Sequence, residues 1–150
     1  MVKFCLVKRW SLSLVKNDPK CMYIFGDNDI QKGKGGQAII RDLPNAWGIP
    51  TKRIPSFDKK AYYTEDKHSE QSIKIQNAVD KIRKELEKGY YTWVALPEDG
   101  LGTGLAKLPT KAPSTFNYLL DELYGLVEEF DSGKLESFKK YKGYQKRETK

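Results

Sequence analysis

The chain has 150 residues and a formal net charge of +7, with 39% hydrophobic and 31% charged residues. That is enough for one domain with a substantial core. No apolar run approaches the roughly 20 residues of a membrane helix. The first residues, Met1 to Arg9, are too short and too charged for a signal-peptide core, so a cytoplasmic protein is expected, in the host cytoplasm if phage-encoded. Cys5 and Cys21 sit in apolar surroundings without metal-ligand spacing and read as reduced thiols. With one histidine, His68, and no Cys/His cluster, neither a metal site nor a cofactor is expected. The excess charge is concentrated in Lys139–Lys150, which carries +5 and leaves +2 on the other 138 residues. Such a tail reads as a solvated extension, with nucleic acid as its alternative partner.

In chain order, Val2 to Trp10 reads as a first strand, and Ser11-Leu-Ser-Leu-Val15 as its extension or a second strand. Asn17-Asp-Pro-Lys20 is a turn. Cys21 to Phe25 is nearly all apolar, as in a strand buried on both faces. It leads into Gly26-Asp27-Asn28 and the loop Gly33-Lys-Gly-Gly36, after which Ala38 to Arg41 allows only a short helix before Pro44. Trp47 to Lys52 is a further strand, and Arg53 to Lys67 a loop.

From Ser69 to Lys88 the apolar residues Ile75, Val79, Ile82 and Leu86 share one helical face, with Gly89 as the stop. Tyr90 to Leu96 is the strongest strand signal, running into a second glycine loop, Pro97-Glu-Asp-Gly-Leu-Gly-Thr-Gly-Leu-Ala106. Pro113 suits the first turn of a last helix with the stripe Phe116, Leu119, Leu120, Leu123, Val127 and Phe130. Strands alternating with helices predict an α/β fold, a three-layer sandwich around a mixed, mostly parallel sheet, over residues 1–130. Residues 131–150 form a basic C-terminal extension.

Both glycine loops leave strand ends, where ligands sit in such sheets. Glycines let the backbone approach a ligand, and two loops of amide donors on one rim suit a diphosphate. This is neither a P-loop nor a dinucleotide fingerprint, because the required Gly-Lys-Ser/Thr and following helix are missing. Asp27 and Asn28 read as turn residues or as donors and acceptors for ribose hydroxyls. Lys52 and Arg53 read as solvated charges or as phosphate partners, and Glu98 and Asp99 as loop solvation or water-orienting groups. His68 reads as a surface loop residue. The acid–base candidates are Asp27, Asp29, Glu98, Asp99 and Lys52.

Tyr23-Ile-Phe-Gly-Asp-Asn28 with Gly33-Lys-Gly-Gly-Gln-Ala38, and Val94-Ala-Leu-Pro-Glu-Asp-Gly-Leu-Gly-Thr-Gly-Leu105, together resemble the paired ligand loops of the macro domain superfamily. Ile49-Pro-Thr-Lys52 resembles its small bacterial and phage members. The resemblance spans about Val2 to Phe130. It implies an α/β/α sandwich that binds ADP-ribose or an ADP-ribosylated macromolecule. Asn28 would meet the distal ribose, Gly35, Gly36 and Gln37 would line the first loop, and Gly100, Leu101, Gly102, Thr103, Gly104 and Leu105 would hold the phosphates. Asp27 and Lys52 are the catalytic candidates.

Three positions depart from the family pattern. Only Ser11, Ser13 and Asp18 precede Met22 where an adenine-anchoring aspartate is expected, Asp27 replaces the usual alanine before the ribose asparagine, and Ala106 stands where the terminal ADP-ribose protein glycohydrolase type has the aspartate partner of its lysine. The expectation is therefore a domain that binds an ADP-ribosyl derivative, with hydrolysis of an ADP-ribosyl linkage or a 1″-phosphate left open. A non-catalytic reader or sequestering protein is one alternative. The other is nucleic-acid binding through the tail, with Tyr141 and Tyr144 exposed.

Overall fold

In the computed structural model, which describes residues 2–139 and 141, four strands form one parallel sheet in the order β1-β4-β2-β3. The strands are β1 (Lys3–Val7), β2 (Cys21–Asn28), β3 (Ala46–Lys52) and β4 (Trp93–Pro97). The helices are α1 (Leu12–Lys16), α2 (His68–Glu87), α3 (Leu108–Lys111), α4 (Pro113–Phe130) and α5 (Leu135–Phe138). The expected α/β class holds. The sheet is parallel throughout, and the one antiparallel pairing among the described residues is an isolated bridge between Lys52 and Tyr62.

β2 sets the layers. Successive side chains on a strand point to opposite faces, so Met22 and Ile24 enter one core with Ile49, Val94 and Leu96. Cys21, Tyr23 and Phe25 enter a second, smaller core with Ala95. The larger core is closed by α2 and α4, whose stripes Ile75, Val79, Ile82, Leu86 and Phe116, Leu119, Leu120, Leu123, Val127 are all buried. Phe130, at the end of the second stripe, is partly buried. The smaller core is closed by Val15 of α1 and by Ala38 and Ile40 of a five-residue 3-10 turn, Gly36–Ile40. Both cysteines are free thiols, with Cys21 buried and Cys5 half-buried.

Three local expectations are corrected. Ser11 to Val15 forms no strand: Ser11 Oγ caps α1 by accepting from Leu14 N at 3.1 Å, so capping overrides the alternating pattern. β2 continues past Phe25 to Asn28 because Asp27 and Asn28 still pair with β3. Tyr141 is not exposed. It is 2% accessible and its hydroxyl donates to Pro97 O at 2.6 Å, while Tyr144 lies outside the described residues.

The chain therefore keeps folding past Phe130. Asp131 accepts from Phe4 N at 3.0 Å, and the Phe138 ring meets Phe4 edge-on at 5.9 Å between centroids. Phe138→Ala is expected to cost about 3–5 kcal/mol, the usual loss for emptying a buried phenylalanine site. Urea denaturation of the full-length protein checks it, and a loss below about 1 kcal/mol would mean that this segment is ancillary to the core.

Candidate functional site

A cavity of about 460 Å³ opens at the carboxyl ends of β2 and β3, between the two glycine loops. Gly26 and Asn28 contribute from β2, Thr51 and Lys52 from β3, and Gly102 to Ala106 (without Thr103) from the loop after β4. This is where a parallel sheet presents its strand ends. No carboxylate is among the described residues that line it, whereas Lys32, Lys34 and Lys52 are.

The first loop is held by a residue that the sequence pattern does not single out. Arg41 closes the 3-10 turn and forks onto Asp27, with Nε 3.1 and 3.2 Å from the two carboxylate oxygens and Nη2 2.5 Å from Oδ1. Both side chains are about one-tenth exposed. The same guanidinium donates to Lys32 O at 3.2 Å and to Gly33 O. Asp27 Oδ1 also accepts from Asn28 N at 2.8 Å.

In a trans peptide the N–H points opposite the C=O. Turning the Lys32 and Gly33 carbonyls onto Arg41 therefore turns the Gly33 and Lys34 amides away from it. Among the described residues these two amides, and those of Gly35, Gly36 and Gln37, meet no acceptor. Gly33 has φ +83°, and a Cβ there would lie 2.9 Å from Pro55 Cβ. Only glycine fits that bend.

Gln37 straps the loops together: Oε1 accepts from Gly26 N at 2.9 Å and Nε2 donates to Gly100 O at 3.3 Å. Gly102, at φ +74°, packs so tightly that a Cβ would sit 3.0 Å from Leu108 Cβ and 3.2 Å from Thr51 Cβ. Thr103 turns its hydroxyl back onto Asp99 O at 2.6 Å.

The expected site residues divide cleanly. Asn28, Gly35, Gly36, Gln37, Lys52, Gly102, Gly104 and Leu105 line the cavity. Gly100 and Thr103 shape the second loop from behind the lining, and Leu101 is a fully buried core residue. Asp27 does not line the cavity. Its carboxylate is consumed by Arg41 and the Asn28 amide, so the catalytic reading of Asp27 gives way to a positioning role. Glu98 and Asp99 are also absent from the lining, and Asp29 is held by Tyr63 and Lys74. His68 leaves its expected loop for the start of α2, where Nδ1 meets Thr115 Oγ1 of α4 at 3.0 Å. Asn28 bonds its own loop, with Nδ2 donating to Lys32 O at 2.7 Å and Oδ1 accepting from Lys32 N at 3.3 Å. One amide hydrogen and one lone pair remain for a ligand.

Lys52 stands apart in the lining by its burial. The residue is 8% exposed, and its ammonium lies 4.8 Å from the Tyr62 ring centroid and 5.0 Å from that of Phe57. It has no carboxylate partner among the described residues. Burial, and secondarily the nearby charge of Lys107, hold its pKa below the ordinary lysine value. Lys107 and Lys111 also approach Tyr62, at 6.0 and 5.2 Å. Aromatic faces offset part of the cost of a buried cation, and an anion would offset the rest.

Fold and cavity define a small parallel α/β protein with a basic, glycine-lined site at its strand ends. Residues 5–122 match the model of a family of unknown function, DUF7831, and the chain belongs to that family. No curated protein and no solved structure matches it.

Two outcomes test the site's physics. Arg41→Ala is expected to cost about 3–5 kcal/mol by stranding a buried carboxylate, with Asp27→Ala/Arg41→Ala costing less than the sum of the single changes by urea denaturation. For Lys52, the folded state disfavours the charged form. The penalty is present in full below the folded pKa and is relieved as pH rises towards the unfolded value. Lys52→Met should therefore be more stable than the parent at pH 7, with a margin that narrows as pH rises towards the ordinary lysine pKa. A margin independent of pH would show that Lys52 is not desolvated.

Proposed function

We propose that the cavity binds ADP-ribose or a closely related nucleotide diphosphate derivative. The observation that carries this reading is the unpaired, largely buried Lys52 ammonium in a lining that holds two glycine loops and no described carboxylate. Such a site prefers phosphates to carboxylates, because the loop amides offer several convergent donors at once. Asn28 keeps spare hydrogen-bonding capacity for a ribose hydroxyl, consistent with the macro-domain resemblance of the two loops.

Adenine would need another anchor than the residues before β2. Asp18 accepts from Tyr23 OH at 2.9 Å beside the amino end of β2, at the opposite end from the cavity, and Ser11 is spent on capping α1. Binding without turnover is favoured over hydrolysis by one further observation. Ala106 lines the cavity where the glycohydrolase type would place its aspartate, and the described lining offers no carboxylate or imidazole, its titratable side chains being Lys32, Lys34 and Lys52. General acid–base chemistry requires such a group within hydrogen-bond reach of the reacting atom. A reader or sequestering role follows.

The decisive measurement is a thermal-shift panel of ADP-ribose, its 1″-phosphate, NAD and cyclic nucleotides, followed by calorimetric titration. ADP-ribose at a hundredfold excess over its Kd should add about 2.7 kcal/mol of stability. Lys52→Met should weaken binding by roughly tenfold, about 1.4 kcal/mol. No shift with any of these ligands would overturn the reading, and multiple turnover of an ADP-ribosylated substrate would replace the passive role with a catalytic one.

A further inference from the structure

Beside the cavity lies a second concavity, of about 400 Å³, that the nucleotide site does not use. Arg53, Lys59, Lys60 and Lys67 line it, all exposed, with Glu70 the single acidic residue in the described lining. Arg53, Lys59 and Lys60 make no side-chain hydrogen bond or ion pair among the described residues, and Lys67 has only the field of its neighbour Asp66. Lys74, also in the wall, is already paired with Asp29 at 2.7 Å. Three exposed, uncommitted cations give this groove a positive charge.

The wall between the two concavities is shared. Arg53 follows Lys52, Arg53 N donates to Ala61 O at 2.7 Å, and Lys52 bridges to Tyr62. The two concavities are therefore neighbours across the Lys52–Tyr62 bridge. There Phe57, on the same loop, stands 75% exposed, the most exposed of the large hydrophobic residues described. Lys107 and Lys111 extend the basic field past Tyr62 on the other side.

We propose that this groove binds the backbone of a single-stranded nucleic acid, with a base stacked on Phe57, so that the cavity receives a nucleotide group carried by a strand. Repeated phosphates match cations spread along a groove, and an exposed ring among cations is the arrangement that stacks unpaired bases. An acidic peptide would satisfy the charges and leave the ring idle, and a duplex offers its bases no route to it. The nucleotide in the cavity rests on the reading above, whereas the strand site does not.

The test is fluorescence anisotropy of the full-length protein with an unmodified 12-nucleotide DNA or RNA strand across a salt series. Lys59→Glu/Lys60→Glu, both exposed, should weaken binding at least tenfold and reduce the salt slope by about 1.4, near 0.7 for each strand phosphate that is no longer neutralised. Its ADP-ribose shift should be unchanged, which separates failure of the groove from failure of the cavity. A full-length control with Lys146→Glu/Arg147→Glu should retain most of the affinity. The proposal is overturned if the groove variant binds like the parent, if the tail variant alone abolishes binding, if a duplex binds as tightly as the strand, or if poly-glutamate of equal charge competes as well as the oligonucleotide.

Discussion

The site depends on one buried ion pair. Asp27 comes from the tip of β2 and Arg41 from the end of the turn that follows the glycine loop, so their pairing closes the loop as a clasp would. A fork of donors also collects the two loop carbonyls, which fixes the direction of the peptide planes between them. The amides are left to face elsewhere because of this choice, and glycine is required because the path closes within a single bend. Gln37 then joins the clasped loop to its counterpart after β4, so the two rims of the cavity are held at one separation. Desolvating the pair is costly, and its return is in geometry more than in stability.

The large elements are legible in the sequence because their signals are redundant. The stripes of α2 and α4 each repeat over several turns, and β2 can be recognised as a doubly buried strand from its unbroken apolar run. The glycine loops are legible as loops because glycine has few other reasons to cluster at a strand end. Short elements are not: α1 has five residues, and Ser-Leu-Ser-Leu satisfies a strand pattern until the Ser11 hydroxyl finds the Leu14 amide. Arg41 is invisible for a different reason. Fourteen residues from Asp27, it looks like any charge after a helical turn, and only the closed loop brings the two together. Asp27 misleads in the same way, since a carboxylate at a strand tip looks available until its partner is known.

The cavity's chemistry is that of exclusion as much as attraction. Acidic residues are plentiful in the neighbouring loops, yet Asp27, Asp29, Glu98 and Asp99 are all kept off the lining. Asp27 and Asp29 do so by being bound to cations of their own. The result is a lining whose charged side chains, Lys32, Lys34 and Lys52, are all cationic. Net charge alone points to the far end of the chain, whereas Lys52, Lys107 and Lys111 gather around Tyr62.

The bond from Tyr141 to Pro97 has a practical meaning for anyone trimming this protein. Pro97 is the residue at which β4 ends and the second glycine loop departs, so the C-terminal segment acts as a backstop to the site. A deletion beginning at Lys139, aimed at the charge of the tail, would also remove that backstop and confuse a lost support with a lost binding surface. A cut after Tyr141 keeps the backstop and removes +3 of the +5 carried by Lys139–Lys150.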